Sequence, residues 1–139
     1  MVRTFALIFG IIYLLVGILG FIPGLYTHTT DMPHPSVETG HGYLLGIFPI
    51  NILHNIVHLL IGLWGLLASR SISGARLYAQ VLAVVYGLLA IMGLIPATNM
   101  TFGLIPIHGN DVWLHALSAL IAAYFGFVAR DNGEPARAD

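Results

Sequence analysis

The chain has 139 residues and no cysteine; 58% of its residues are hydrophobic, only 8% are charged, and the formal net charge is -1, with a mean hydropathy of +0.88. A soluble domain carries about a quarter charged residues, so lipid is the expected solvent for this surface, and the near-zero charge gives no sign of a nucleic-acid or acidic partner. Without cysteine there is no disulfide, no thiolate nucleophile and no Cys-ligated zinc or iron–sulfur site, so any metal must be held by nitrogen and oxygen.

Thr4 to Phe21 is a nearly unbroken apolar run that stops at Pro23-Gly24. A signal peptide has an apolar core of about 7–15 residues and a small-x-small cleavage site; this run is longer and lacks such a site. It reads as a first transmembrane helix over about residues 4–22. Three more are expected at about 51–68, 75–95 and 112–129, each near the ~20 residues that span a hydrocarbon core. Backbone groups in lipid must be satisfied within their own segment, which dictates helices. Residues 1–139 thus form a single transmembrane domain, with a loop at 26–45 carrying His28, Asp31, His34, Glu38 and His41, and a polar tail at 131–139 expected to be disordered. The loop reads as a cap. Its histidines are expected to be solvated, though with Asp31 and Glu38 they can recruit metal.

There is no lysine, and Arg3, Arg70, Arg76, Arg130 and Arg137 all fall before the first helix, between the second and third, or after the fourth. The positive-inside rule places those segments, and both termini, in the cytoplasm. All seven histidines then lie in the outer loops or in the outer halves of the second and fourth helices.

The chain also repeats itself. Gly46 to Ile50 and Gly103 to Ile107 share the pattern Gly-x-x-Pro-Ile; aligned there, Asn51 falls on His108, His54 on Asp111 and His58 on His115. Upstream, Tyr13, Gly20 and Pro23 match Tyr86, Gly93 and Pro96, with a first loop longer by 16 residues. The expected fold class is therefore an all-α integral membrane protein: a four-helix transmembrane bundle made of two tandem helical hairpins related by a pseudo-twofold axis along the membrane normal.

His54 and His58, four apart, share a helix face, and so do Asp111 and His115. Both faces continue into mostly small residues (Gly62 and Gly65; Ser118, Ala119 and Ala122), which mark close helix approach in membranes. The two faces are expected to meet, bringing His54, His58, Asp111 and His115 together as metal ligands. Three imidazoles and a carboxylate suit zinc; copper or iron also accepts imidazole. Asn51, Asn55 and Asn110 are candidates to orient an imidazole through its other nitrogen, and His108 is a fifth ligand or an entry residue. A hydrogen-bonded cluster gluing two helices, or a proton-responsive site, are the alternatives. Interhelical polar contacts contribute only about 0.6 kcal/mol on average, a small return for so costly a set of side chains. Trp64, Trp113, Tyr26 and Tyr43 read as interface or packing aromatics, and Tyr13 and Tyr86 as packed side chains with satisfied hydroxyls.

The segment Asn51-x-x-His54-Asn55-x-Val57-His58-Leu59-x-x-Gly62, with a small four-helix layout and a later Asp111-x-x-x-His115, resembles a family of bacterial membrane proteins catalogued as a domain of unknown function, DUF4383. The resemblance covers nearly the whole chain. It implies a bacterial four-span protein of the inner (plasma) membrane and supplies no activity.

Three functions compete at this point. The first is a membrane metalloprotein that binds zinc or another transition metal for binding, sensing or metal-dependent hydrolysis, with catalysis left open. The second is a haem protein using His58 and His115 as axial ligands. The third is a structural or transport-associated subunit with a polar network and no cofactor, acting as a homo-oligomer or with a membrane partner. The lipid bilayer is the one partner common to all three.

Overall fold

The computed structural model describes residues 1–28 and 34–130; Asp31, Arg137 and the tail at 131–139 lie outside the described residues. The described chain is mostly helical. Its four helices are α1 (Val2–Leu19), α2 (Ile52–Ala68), α3 (Ile72–Leu94) and α4 (Asn110–Ala123), the last running into a π-helical turn over Tyr124–Val128. Three segments are long and apolar enough to cross a membrane: Val2–Leu19, Ile72–Leu94 and Asn110–Val128. The remaining helix, α2, has 17 residues. α3 begins at Ile72, ahead of the expected Ala75, because the Ser71 hydroxyl accepts the Gly74 N–H at 3.0 Å and so caps an earlier turn.

The first loop is not wholly irregular. It holds a small antiparallel sheet of three strands in sequence order, β1 (Tyr26–Thr27), β2 (Gly42–Leu44) and β3 (Phe48–Ile50). Tyr26 pairs with Leu44, and Gly42 with Ile50. The tight β2–β3 connection passes through Leu45 at φ 53° and Gly46 at φ 71°, a left-handed pair in which glycine removes half the strain. The all-α class thus fits the chain with this sheet as an addition.

Burial is inverted relative to a water-soluble domain. His54, Asn55, His58, Asp111, His115 and Ser118 are buried, whereas Leu15, Leu60, Leu63, Val84, Leu88, Leu117 and Leu120 are exposed. Such a surface is favourable only against hydrocarbon. α1 packs chiefly on α2, and α3 on α4. Between α1 and α2 the backbones touch: a Cβ at Gly10 would lie 2.9 Å from the Gly62 carbonyl oxygen and 2.8 Å from Leu66 N. An aromatic core of Phe5, Tyr13, Tyr78 and Tyr86 fills the space between the two pairs.

At one end, Arg3 Nε donates to the Ser69 carbonyl at 2.8 Å and an Arg76 guanidinium N–H donates to the Ala129 carbonyl at 3.0 Å. These bonds satisfy carbonyls at the ends of α2 and α4 and gather the arginine-bearing segments. The two long loops occupy the opposite end.

Candidate metal centre

The site is built where the loops deliver the chain into α2 and α4. Asn51 starts α2. Its side-chain oxygen accepts the His54 N–H at 3.0 Å, the N-cap bond that fixes the first turn. Its Nδ2 donates to the carbonyls of Val37 at 3.1 Å and Leu104 at 2.6 Å. One fully buried amide therefore latches both loops to the head of α2. The Ser36 N–H adds a direct loop-to-loop bond to the Gly103 carbonyl at 2.7 Å. Replacing Asn51 with Ala removes the cap and strands two carbonyls, an expected loss of about 2–3 kcal/mol. A thermal melt in detergent measures the loss, and hydrogen exchange should show both loops opening together.

With the first turn fixed, His54 points toward α4. The His54 Nδ1–H donates to the Pro49 carbonyl at 3.1 Å, which leaves the Nε2 lone pair facing Asp111 Oδ2 at 3.8 Å. On α4, His115 Nδ1 lies 3.6 Å from the same oxygen. Neither distance is a hydrogen bond. Asp111 Oδ2 and His115 Nδ1 are buried with no hydrogen-bond partner among the described residues. The donor atoms of His54, Asp111 and His115 all lie within 4.8 Å of one another. Two ligands each about 2.1 Å from one ion at a tetrahedral angle sit roughly 3.4 Å apart, so these side chains need only small adjustments to share one cation.

His58 is not part of that converging group. Its ring centroid is 4.5 Å from that of His54 and 5.5 Å from that of Tyr13, and its Nδ1 is buried without a hydrogen-bond partner. Tyr86 stacks edge-on against His115 at 4.9 Å. The three asparagines do not orient imidazoles. Asn51 caps and latches, Asn55 Nδ2 donates to the Gly20 carbonyl at 2.8 Å to tie α1 to α2, and Asn110 Nδ2 reaches the Ile47 carbonyl at 3.4 Å on the exposed rim. The group that orients His54 is the Pro49 carbonyl. It sits in the repeated Gly-x-x-Pro-Ile leader, but only the path of β3 into α2 turns that oxygen toward the ring.

His108 is half-buried, with its ring 6.4 Å from Tyr43 and its Nε2 unpartnered, outside the triad. Among the loop histidines, His28 Nδ1–H donates to the His41 carbonyl at 2.9 Å, and His34 lies 3.5 Å from Glu38 on the surface. Burial pushes the His41 imidazole below its ordinary value and neighbouring His34 adds to the shift; burial also lowers His108. Below the ordinary histidine value the unfolded chain takes up these protons before the folded one does, so folding stability falls as the pH drops. The melting temperature is expected to decrease between about pH 7.5 and about pH 5.5, by less in His41→Gln than in the parent.

The sequence profile of one family, a domain of unknown function (DUF4383), matches residues 3–128. The chain belongs to the DUF4383 family. The matched span contains the triad, His58, both loops and all of the four helices except Val2. No curated protein and no solved structure matches the chain. The buried His/Asp group of this DUF4383 chain could hold a metal ion.

Proposed function

We propose that the chain is a four-span protein of the bacterial inner membrane that binds one divalent transition ion, zinc or ferrous iron, between α2 and α4. His54, Asp111 and His115 are the ligands, and His58 stands beside them as the fourth candidate donor. The observation that carries this reading is a contact between lone pairs: His54 Nε2, an acceptor once Nδ1–H is given to Pro49, faces Asp111 Oδ2 across 3.8 Å in a buried site. Two acceptors repel unless a proton or a metal ion lies between them, and the 3.8 Å gap is wider than a hydrogen bond. A polar network without a cofactor would close these gaps with hydrogen bonds, because buried polar groups left unpaired cost about 1–3 kcal/mol each.

Two imidazoles and a carboxylate leave coordination positions open. This is the ligand count of catalytic zinc sites of the two-His, one-carboxylate kind and of non-haem iron centres. Haem finds no support, because the space beside His54, His58 and His115 is a cavity of about 80 Å³, which admits a few atoms and not a porphyrin.

Several features support the two-hairpin reading. Leu45 and Gly46 are left-handed, and so are Phe102 and Gly103 at the aligned positions. Pro49 and Pro106 are both fully buried, as are Ile50 and Ile107. Tyr13 lies on His58 as Tyr86 lies on His115, and Tyr13 and Tyr86 meet edge-on at 5.6 Å. In this reading the arginine end faces the cytoplasm and the loops face out, and the 26–45 loop covers the outer mouth.

Metal analysis of detergent-purified protein tests the proposal. About one equivalent of zinc or iron per chain is expected. Protein that stays metal-free after incubation with both ions refutes it.

A further inference from the structure

One side of the triad is not packed against protein. The cavity of about 80 Å³ lies between α2 and α3, with His54, His58, Tyr86 and His115 on its inner wall. Its outer wall is Val57 and Ile61 from α2 and Val85 and Leu89 from α3. Val57 and Val85 are also 37% and 41% exposed on the outside of the helices, so the cavity borders the lipid-facing surface. The reason is the pairing of the helices: α2 is committed to α1 and α3 to α4, and α2 meets α3 only sparsely. From the loop side, Asn51 holds both loops down over the head of α2.

Size and lining define the occupant. A water molecule takes about 30 Å³ of liquid, so the cavity has room for roughly two or three groups of that size. Water itself needs two to four polar partners per molecule. Besides the imidazoles and the hydroxyl-bearing Tyr86 and Thr101, the lining is hydrocarbon. A charged ligand would lose its hydration in crossing between Val57 and Val85, at a cost of many kcal/mol. A neutral, lipid-soluble one would not.

We propose that this cavity is the pocket for a small uncharged molecule of two or three non-hydrogen atoms, the class of dissolved diatomic gases, which enters from the bilayer between α2 and α3. It meets the open face of the triad beside His58. The ion it meets there rests on the metal-centre reading above; the pocket itself is formed by the apoprotein.

Xenon tests the pocket without metal. Under xenon pressure, metal-free protein in nanodiscs with labelled methyl groups is expected to show its largest shifts at the cavity-lining Val57, Ile61, Val85, Leu89, Ile105 and Ile107. Val85→Trp is expected to abolish them and Val85→Phe to reduce them, while Val84→Trp, outside the lining, leaves them intact. No shift at these six residues in the parent protein beyond that of Val84 overturns the pocket. Nitric oxide and azide then test the route on ferrous protein. Nitric oxide is expected to bind iron, at least about tenfold more slowly in Val85→Trp at equal iron content, and azide at the same concentration to leave the spectrum unchanged. Azide binding as readily as nitric oxide, or an unaltered nitric oxide rate in Val85→Trp, overturns entry from the bilayer. Failure of the parent protein to take up iron or zinc counts against the metal centre alone, because the xenon shifts still decide the pocket.

Discussion

Asp111→Asn is expected to raise the melting temperature of the metal-free protein and to abolish the rise that zinc or ferrous iron produces in the parent. The sign follows from the geometry. In the apoprotein the buried Asp111 carboxyl group faces two imidazole nitrogens at 3.6 and 3.8 Å, too far for a hydrogen bond to either, and a buried polar group left without a partner costs about 1–3 kcal/mol. An amide of the same shape carries N–H donors that a small shift brings onto an imidazole lone pair, which lowers that cost. With metal present the balance reverses, because the ion stabilises the fold by RT ln(1 + [L]/Kd), about 4 kcal/mol at a thousandfold excess over Kd. His115→Ala is expected to weaken metal binding by more than about 100-fold, beyond the range for a residue that only orients a ligand, whereas His58→Ala, outside the converging donors, is expected to cost less than about tenfold. Paired thermal melts with and without metal, together with equilibrium dialysis, measure all three. A destabilised metal-free Asp111→Asn protein would mean that the carboxylate is held by hydrogen bonds and not poised for a cation.

Gly62→Leu is expected to separate α1 from α2. A Cβ at this position would lie 2.6 Å from Leu14 N and 2.8 Å from the Gly10 carbonyl oxygen. Both are backbone atoms, so no flexible side chain can move aside and one helix must shift. Overpacking of this kind costs typically 1–3 kcal/mol and occasionally more; about 3 kcal/mol or more is expected here because the obstruction is main chain. Gly62 sits one turn beyond His58 on the same face, so the displacement also reaches the site, and metal affinity should fall with stability. Gly87→Leu is the matched control. A Cβ there meets nothing within 4 Å, and the change is expected to stay within about 0.5 kcal/mol. Unfolding in mixed detergent micelles compares the two.

The helices and the polar face were legible because both write themselves into short-range spacing. An i, i+4 pair must share a face, and an apolar run with arginines only at its flanks must satisfy its own backbone. The β1–β2–β3 sheet was not legible. Its strands have two or three residues, too few for an alternating pattern, and β1 and β2 are joined across a long stretch of loop. Spacing also could not separate His58 from His115. Both lie four residues beyond a polar partner, but there is one carboxylate, and it lies near the imidazole of its own helix turn, His115. The asparagines flank the rings in sequence, which makes them look like companions of the imidazoles. Their amides instead bond carbonyls at 14 to 63 residues' separation, a distance that no local pattern encodes.

The π-helical turn that closes α4 fixes where the chain leaves the fold. Ala129 N bonds the Tyr124 carbonyl five residues back at 2.8 Å, and the Gln80 amide takes up the Gly126 carbonyl at 3.1 Å. One residue more than an α-helical turn needs is absorbed there, which swings everything downstream by about 100°. Deleting a single residue from Tyr124–Val128 would restore regular winding with little local cost, yet it would rotate Arg130 to another side of the helix and break the Arg76–Ala129 tie. Length in this short segment is thus a dial for the facing of Arg130, set independently of the buried ligands.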